Sequence, residues 1–295
     1  MRAECVWPAG AVLGEGALWD EGRGQLWWVD IKGPALNRYD PANGARWSWM
    51  PPCRITALGL AGSDRLIASS DLGFVLVEPE AERLVPLHHP ETAIPGNRFN
   101  DGKVDPQGYF WAGSMDDAEE ETTRGTLYRF APDGSCEAML GGFHVPNGPA
   151  FAHDGRSFYV NDTARRRTDR VRLDGSGAIA ARETFLTFAE GEGYPDGMTV
   201  DAAGNLWIAF WDGWCVRCFS PEGAPIDRIE LPVARPTSCA FGGPALDQLF
   251  ITSASVGLSD AERDEQPLAG GLFVVPGVAR GVAAPHFGGA TRAAG

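Results

Sequence analysis

The sequence predicts an all-β fold: a six-bladed β-propeller of four-stranded antiparallel blades, closed by the N-terminal strand. The main observation is a repeat, in which a small residue, a short apolar run and a Gly- or Asp-containing turn precede a second run rich in aromatic residues. The clearest copy spans residues 194–213, YPDGMTVDAAGNLWIAFWDG. Two strands and a tight turn per unit are typical of propeller blades. The six copies begin at Gly16, Thr56, Gly102, Gly148, Gly197 and Ser238, with steps of 40, 46, 46, 49 and 41 residues.

The two ends of the chain provide the second observation. Residues 3–7 form a strand-like run with no partner nearby, whereas the last repeat is one strand short. In a closed propeller such an orphan strand completes the last blade. We therefore expect residues 3–7 to pair with residues 271–275, and residues 1–295 to form a single propeller domain. The Gly/Ala-rich tail after about residue 277 should be partly irregular.

Composition excludes several other classes of protein. A formal net charge of −14 argues against nucleic-acid binding, which requires a basic face. No run of 18 apolar residues predicts a membrane span, and the N-terminus lacks the apolar segment of a signal peptide. The six cysteines show no disulfide framework, and the CxxC pair of Cys215 and Cys218 lacks the partners of a zinc site. We expect a cytoplasmic protein, a monomer or weak homo-oligomer, that binds neither nucleic acid nor a membrane.

The candidate site lies one residue before each repeat start. Equivalent positions of a radial repeat converge on the axis, so these side chains should meet at one end of the propeller. Four of the six carry oxygen-rich groups. The positions hold Glu15, Ile55, Asp101, Asn147, Asp196 and Thr237.

Three of these side chains suit a divalent metal ion. Glu15, Asn147 and Asp196 offer two carboxylates and an amide oxygen, and the two negative charges balance a hard cation. Three protein ligands leave positions for water and substrate, as in a catalytic metal site. Calcium, magnesium, manganese, zinc and ferrous iron all remain open, because the ligand types do not select one.

The segment before the third repeat start adds candidate substrate-binding residues. Arg98 and Asn100 should stand just above the axis, where a guanidinium and an amide can bind hydroxyl and carbonyl groups of a sugar-like ligand. Asp101 occupies a ring position, but a third carboxylate would overcharge a metal site. We therefore assign Asp101 to the substrate or to a supporting position.

Four connections should surround this site, because they leave the second strand of each blade toward the same face. The first and last are the longest and are candidate rims or lids. They span residues 115–125, 162–170, 211–214 and 255–270.

Several stretches resemble one known family. LGEGALWD, NRFNDGKVDPQGYFWAGSM, VPNGPAF, YPDGMTVDAAGNLWIA, PTSCAFGG and QPLAGGLF occur in order over nearly the whole chain and together resemble the SMP-30/gluconolactonase family. The resemblance implies a six-bladed propeller, a divalent metal on Glu15, Asn147 and Asp196, and sugar binding by Arg98 and Asn100. It also implies that an acidic residue after Met115 contacts substrate.

That acidic residue is left open among Asp117, Glu119 and Glu120 within the run 116–121. We expect hydrolysis of an aldonolactone such as xylono-, arabino-, galactono- or gluconolactone to the open sugar acid. Asp196 would combine metal ligation with proton transfer from the attacking water. The alternative is a calcium-binding propeller without turnover, and strictosidine-synthase-like or phosphotriesterase-like chemistry is more distant.

Overall fold

The computed structural model of this protein describes residues 2–120 and 122–289, and it confirms the propeller. These residues form 24 strands in six four-stranded antiparallel sheets. The strands are β1 (Glu4–Trp7), β2 (Gly14–Asp20), β3 (Gln25–Asp30), β4 (Ala35–Asp40), β5 (Ala45–Trp49), β6 (Ile55–Ala61), β7 (Arg65–Ser70), β8 (Gly73–Glu78), β9 (Arg83–His88), β10 (Asn97–Val104), β11 (Phe110–Asp116), β12 (Gly125–Phe130), β13 (Cys136–Phe143), β14 (Pro146–Phe151), β15 (Ser157–Asp162), β16 (Arg167–Leu173), β17 (Ile179–Thr187), β18 (Tyr194–Val200), β19 (Leu206–Trp211), β20 (Cys215–Phe219), β21 (Pro225–Glu230), β22 (Pro236–Gly242), β23 (Gln248–Ser253) and β24 (Leu272–Pro276).

The ring closes as the sequence predicts. Blades 1 to 5 each take four consecutive strands, from β2–β5 to β18–β21, and β1 is the outer strand of blade 6 beside β24. Cys5 pairs with Phe273 and Glu4 with Val274. The two ends of the chain therefore share one sheet.

The core lies between the blades. The described residues form six hydrophobic clusters, and each joins two neighbouring blades. Trp111 of blade 3, for example, packs against Phe158 of blade 4, and Phe74 of blade 2 stacks on Phe130 of blade 3. The aromatic residues of the repeat therefore serve mainly to join blades.

Each innermost strand carries a β-bulge at or next to its predicted ring position. A bulge re-aims a side chain, so this irregularity affects the direction in which the ring side chains point. Gly16 and Gly148 follow two of these residues with φ values of 61° and 88°, a conformation that favours glycine. The register shifts fall between Glu15 and Leu18, Ile55 and Ala57, Phe99 and Gly102, Asn147 and Ala150, Pro195 and Met198, and Pro236 and Cys239.

One helix departs from the all-β prediction. The connection between β23 and β24 contains α1 (Asp260–Glu265), and 3-10 turns occupy Pro79–Ala81 and Thr163–Arg165. Ser259 caps α1 in a capping box with Glu262, which explains why SDAE begins a helix there. Within residues 2–120 and 122–289, no helix is long and apolar enough to cross a membrane.

The described part of the tail after residue 277 contains no strand, and hydrogen bonds join it to the propeller. It crosses the end of the axis opposite to the ring residues. Gly281 N donates to Leu246 O in blade 6, and Phe287 N donates to Leu60 O in blade 2. The Phe287 ring also stacks on Phe130. Residues 290–295 of the predicted irregular tail lie outside the described residues.

Candidate functional site

A cavity of about 550 Å³ opens at the end of the axis where the innermost strands begin. All four predicted loops line it, through Met115, Thr163, Trp211 and Val256 among others. Of the six predicted site residues, the structure brings five together in its lining. These five are Glu15, Arg98, Asn100, Asn147 and Asp196.

Glu15 and Asp196 form an acidic pair at the cavity floor. Each residue is only 5% exposed. Burial raises the pKa of Glu15 well above its usual range, and the charges of Asp196 and Asp101 raise it further. Burial and the nearby Asp101 charge raise the pKa of Asp196 in the same way. Two carboxylates that resist ionisation therefore lie close enough to repel each other.

The donor set fits a divalent cation. Glu15 Oε2 accepts one hydrogen bond, from Gly16 N at 3.1 Å, and neither Glu15 nor Asp196 forms an ion pair with any described residue. A cation beside these oxygens would offset both the desolvation and the mutual repulsion. No three His, Cys, Asp or Glu side chains of the described residues could hold a metal ion by themselves. The third ligand would be the amide oxygen of Asn147.

A chain of hydrogen bonds fixes that amide. Arg98 Nη1 donates to Asn100 Oδ1 at 2.8 Å, and Asn100 Nδ2 donates to Asn147 Oδ1 at 3.0 Å. Asn147 Nδ2 donates to Thr163 Oγ1 at 2.7 Å, and Thr163 Oγ1 donates to Pro195 O at 2.7 Å. The chain joins blades 3, 4 and 5 and ends one residue before Asp196.

Thr163 determines which way the Asn147 amide points. A carbonyl oxygen only accepts, so the Thr163 hydroxyl must donate to Pro195 O and accept from Asn147 Nδ2. Asn147 Oδ1 therefore lies on the opposite side, toward Asn100. This arrangement keeps the amide oxygen, with its second lone pair, available to a ligand.

Asn100 has less freedom for substrate than the sequence suggested. Both N–H groups of its amide are used within the protein, because Nδ2 also donates to Pro146 O at 2.9 Å. Only a lone pair of Oδ1 remains for a hydroxyl. The structure thus gives Asn100 a positioning role for Arg98 and Asn147.

Arg98 is only 6% exposed, and within residues 2–120 and 122–289 neither its Nε nor its Nη2 forms a hydrogen bond. Its Nε lies 3.1 Å from Asp117 Oδ1, and Nη1 is used by Phe99 O and Asn100. Nη2 lies 3.7 Å from Glu119 Oε1, beyond hydrogen-bond distance. Burial lowers the pKa of Arg98, and the nearby Glu119 and Asp117 carboxylates oppose that shift.

Two carboxylates of the acidic run 116–121, Asp117 and Glu119, have different surroundings. Asp117 is held by Arg54, which donates to both of its carboxylate oxygens, and this pairing lowers the pKa of Asp117. Glu119 lines the cavity and accepts from Lys32 Nζ at 2.7 Å. Of the three acidic residues left open by the sequence, Glu119 is the one in the lining, whereas Asp117 and Glu120 are not. Glu121 lies outside the described residues.

Asp101 does not line the cavity. Its carboxylate accepts from Gly102 N at 2.7 Å and from Gly148 N at 2.8 Å, so it ties blade 3 to blade 4 behind the ring. Burial raises its pKa, and the Lys103 ammonium opposes the shift. The sequence left open whether Asp101 contacts the substrate or supports the ring residues, and this geometry fits the supporting role.

Sequence reasoning missed three cavity residues, Lys32, Thr163 and Arg235. Each follows or precedes a strand outside the repeated ring position, so the repeat carries no signal for it. Arg235 Nε donates to Asp212 Oδ1 at 2.6 Å, and its guanidinium lies 4.8 Å from the Trp211 ring centroid. Of the three, only Thr163 lies in a connection that the sequence predicted at this face, residues 162–170.

Fold and site together define a six-bladed propeller with an acidic, amide-containing centre on its axis. Comparison with known proteins places the chain in a family: residues 13–255 match the SMP-30/gluconolactonase/LRE-like region. The chain is 32% identical to regucalcin of Xenopus laevis over 98% of this chain and 99% of that protein. It is 37% identical to pentonolactonase XacC of Haloferax volcanii over 82% of this chain and 81% of that protein.

A solved structure shows the same architecture. The crystal structure of regucalcin from Agrobacterium tumefaciens, described as a calcium-binding protein, matches with a TM-score of 0.91 and 30% identity over 96% of both chains. The protein therefore belongs to the SMP-30/gluconolactonase family, as the sequence motifs indicated.

Proposed function

We propose that this protein is a metal-dependent lactonase that hydrolyses a sugar-acid lactone to the free aldonic acid. The observation that carries the proposal is the buried pair of Glu15 and Asp196, which forms no ion pair with any described residue and lies near Arg98, whose Nη2 is 3.7 Å from Glu119. The pentonolactonase at 37% identity supports the same reaction class. Aldonolactones with five- or six-membered rings are the substrate class we propose.

Glu15, Asp196 and Asn147 Oδ1 would hold one divalent cation, which supplies positive charge to polarise the lactone carbonyl. The candidate ions are calcium, zinc, manganese, magnesium and iron(II), since carboxylate and amide oxygens accept them all. Regucalcin, the calcium-binding relative, supports calcium as the first ion to test.

Asp196 is the proposed general base. Its buried carboxylate lies at the cavity floor, beside the position proposed for the cation, where it could accept a proton from water. It would take a proton from water as the water oxygen bonds to the lactone carbonyl carbon. The ring C–O bond then breaks, and the proton passes to the departing ring oxygen. The product is an open chain with one new carboxyl group and one new hydroxyl group.

Arg98 and Glu119 are the proposed substrate-positioning groups. Arg98 Nη2 can donate to a ring hydroxyl, and Glu119, which is partly exposed and lines the cavity, can accept from another. Asn100 would act chiefly by holding Arg98 and Asn147 in place, with one lone pair left for substrate.

The second candidate function is calcium binding without turnover, which the name of the Agrobacterium relative favours. A panel of aldonolactones, assayed by acid release in the presence of each divalent ion, distinguishes the two. Hydrolysis well above the spontaneous rate supports the lactonase. Metal binding with no hydrolysis of any lactone would contradict the lactonase and favour the binding protein.

We also propose that the protein works in the cytoplasm as a monomer or weak homo-oligomer. All six cysteines are free, which suits a reducing compartment.

A further inference from the structure

The propeller axis ends in a second cavity, on the face crossed by the C-terminal tail. This tail-side cavity has a volume of about 330 Å³, at the lower end of the roughly 300–1,000 Å³ of small-molecule sites. The far ends of all six innermost strands line it, together with tail residues 282–285. It shares no lining residue with the cavity that holds Glu15 and Asp196.

The walls of the tail-side cavity are mainly apolar. Leu18, Val104, Phe151, Val200 and Phe241 contribute side chains from five blades. A polyhydroxylated molecule would leave most of its hydroxyl groups without hydrogen-bond partners against such walls. The cavity therefore does not suit the sugar acid that the proposed reaction produces.

The polar side chains in this lining offer donors that the protein does not use. Lys103 Nζ donates to Met198 O at 2.8 Å and forms no ion pair with any described residue, so two of its three N–H groups remain. Trp19 also lines the cavity, but its indole Nε1 is itself buried, so Trp19 can report a nearby ligand and is not counted as a donor to it. The Thr199 hydroxyl, in the residue after Met198, forms no hydrogen bond with any described residue.

The ligand that matches unused donors and a positive charge is an acceptor-rich anion. The Asp101 carboxylate interacts electrostatically with the Lys103 ammonium but forms no ion pair with it. Its oxygens accept hydrogen bonds from Gly102 N and Gly148 N. We propose that the tail-side cavity binds a small monocarboxylate with an aliphatic or aromatic body, its carboxylate on Lys103 and its apolar part against the walls.

The tail forms the cover of this site. Arg280 O and Gly281 N bond to Ala202 N and Leu246 O on one side of the cavity, and Phe287 N bonds to Leu60 O on the other. Residues 282–285 span the mouth between these anchors and line the cavity. A ligand therefore enters beside or beneath this segment.

The test is a titration of the whole protein with hexanoate, followed through the indole ¹H–¹⁵N signal of Trp19, which Trp19→Phe assigns. We expect a saturable shift of that signal with hexanoate and a much weaker response to neutral hexanamide. Lys103→Met should weaken hexanoate binding roughly tenfold or more, as expected for loss of a charged hydrogen bond. Lys32→Met, which removes an ammonium from the other cavity, should bind hexanoate like the parent.

A second variant tests the same cavity independently, in case Lys103→Met does not fold. Ala283 is exposed on the tail and lines the cavity, so Ala283→Phe should fill the mouth and abolish the Trp19 shift while leaving the blades intact. The proposal is overturned if hexanoate causes no saturable Trp19 shift, or if hexanamide binds equally well. It is also overturned if Lys103→Met and Ala283→Phe both bind like the parent, or if only Trp211, in the first cavity, responds.

Discussion

Replacing Asp196 by asparagine should stabilise the metal-free protein and destabilise the metal-loaded one. In the metal-free protein the Asp196 carboxylate is buried near Glu15 and Asp101, and its pKa is raised well above the usual range. A raised carboxyl pKa contributes stability at low pH, and that contribution is lost as the pH rises through the folded-state pKa. At a pH above the unfolded-state pKa, the raised pKa of Asp196 therefore opposes folding, and the neutral amide removes that opposition.

The magnitude follows from the same linkage. One unit of pKa corresponds to about 1.4 kcal/mol, and about 1 kcal/mol changes the Tm of a domain of this size by roughly 2–4 °C. The pKa of Glu15 should also fall in the variant, because the Asp196 charge is one of the causes that raise it. We expect the Tm of metal-free Asp196→Asn to exceed that of the parent by at least a few degrees.

With metal bound, the parent should have a higher Tm than Asp196→Asn. A cation at about 100 times its Kd adds about 2.7 kcal/mol to the parent, whereas the variant has lost one of two ligand charges and should gain far less. Scanning calorimetry with a chelator, and then with added metal, measures the Tm of parent and variant in both states. Asp212→Asn is the control, since Asp212 borders the same cavity but is 41% exposed and paired with Arg235. It should show neither the gain nor the reversal. A lower Tm for metal-free Asp196→Asn, or equal stabilisation of variant and parent by metal, would refute the reasoning.

Three further predictions follow from the fold and the site. Deleting residues 1–8 should lower the Tm by roughly 5–10 °C, because it exposes the edge of β24 and removes the packing of Trp7 on Trp28; an unchanged Tm would disprove the closure. Thr163→Val should weaken metal binding, measured by calorimetry, about tenfold by freeing the Asn147 amide, and Thr163→Ser should restore it; equal affinity in all three proteins would exclude the positioning role. Arg98→Ala should reduce kcat/KM for a polyhydroxylated lactone tenfold or more while changing metal affinity little, and a parallel loss of metal affinity would mean that Arg98 acts on the metal site.

The fold could be predicted because the sequence contains six copies of one structural unit. Six copies at near-constant spacing require six equivalent units, and the orphan strand at residues 3–7 requires a partner at the other end. The side chains at the ring positions could be identified for the same reason. The β-bulges at these positions could not be predicted from the sequence, although the glycines at two of them, Gly16 and Gly148, are consistent with a bulge.

The parts of the site that the sequence did not reveal depend on contacts between blades. Thr163 acts by bonding residues of blades 4 and 5, and Asn100 by bonding residues of blade 4. Such bonds join residues distant along the chain, so no local pattern predicts them. Helix α1 was recognisable in principle from its capping box, which was hidden within a long polar loop. The path of the tail depends on backbone hydrogen bonds, which any sequence can make.

The most direct test of the account is hydrolysis of one well-accepted aldonolactone by metal-stripped and reloaded protein, with bound metal quantified in the same samples. The account predicts that stripping abolishes hydrolysis and that activity returns in proportion to occupancy, reaching its limit at one divalent ion per chain. Glu15→Gln should bind the ion more weakly and require more of it for the same rate. Full activity in the stripped protein, or one ion bound per chain with no hydrolysis, would contradict the account.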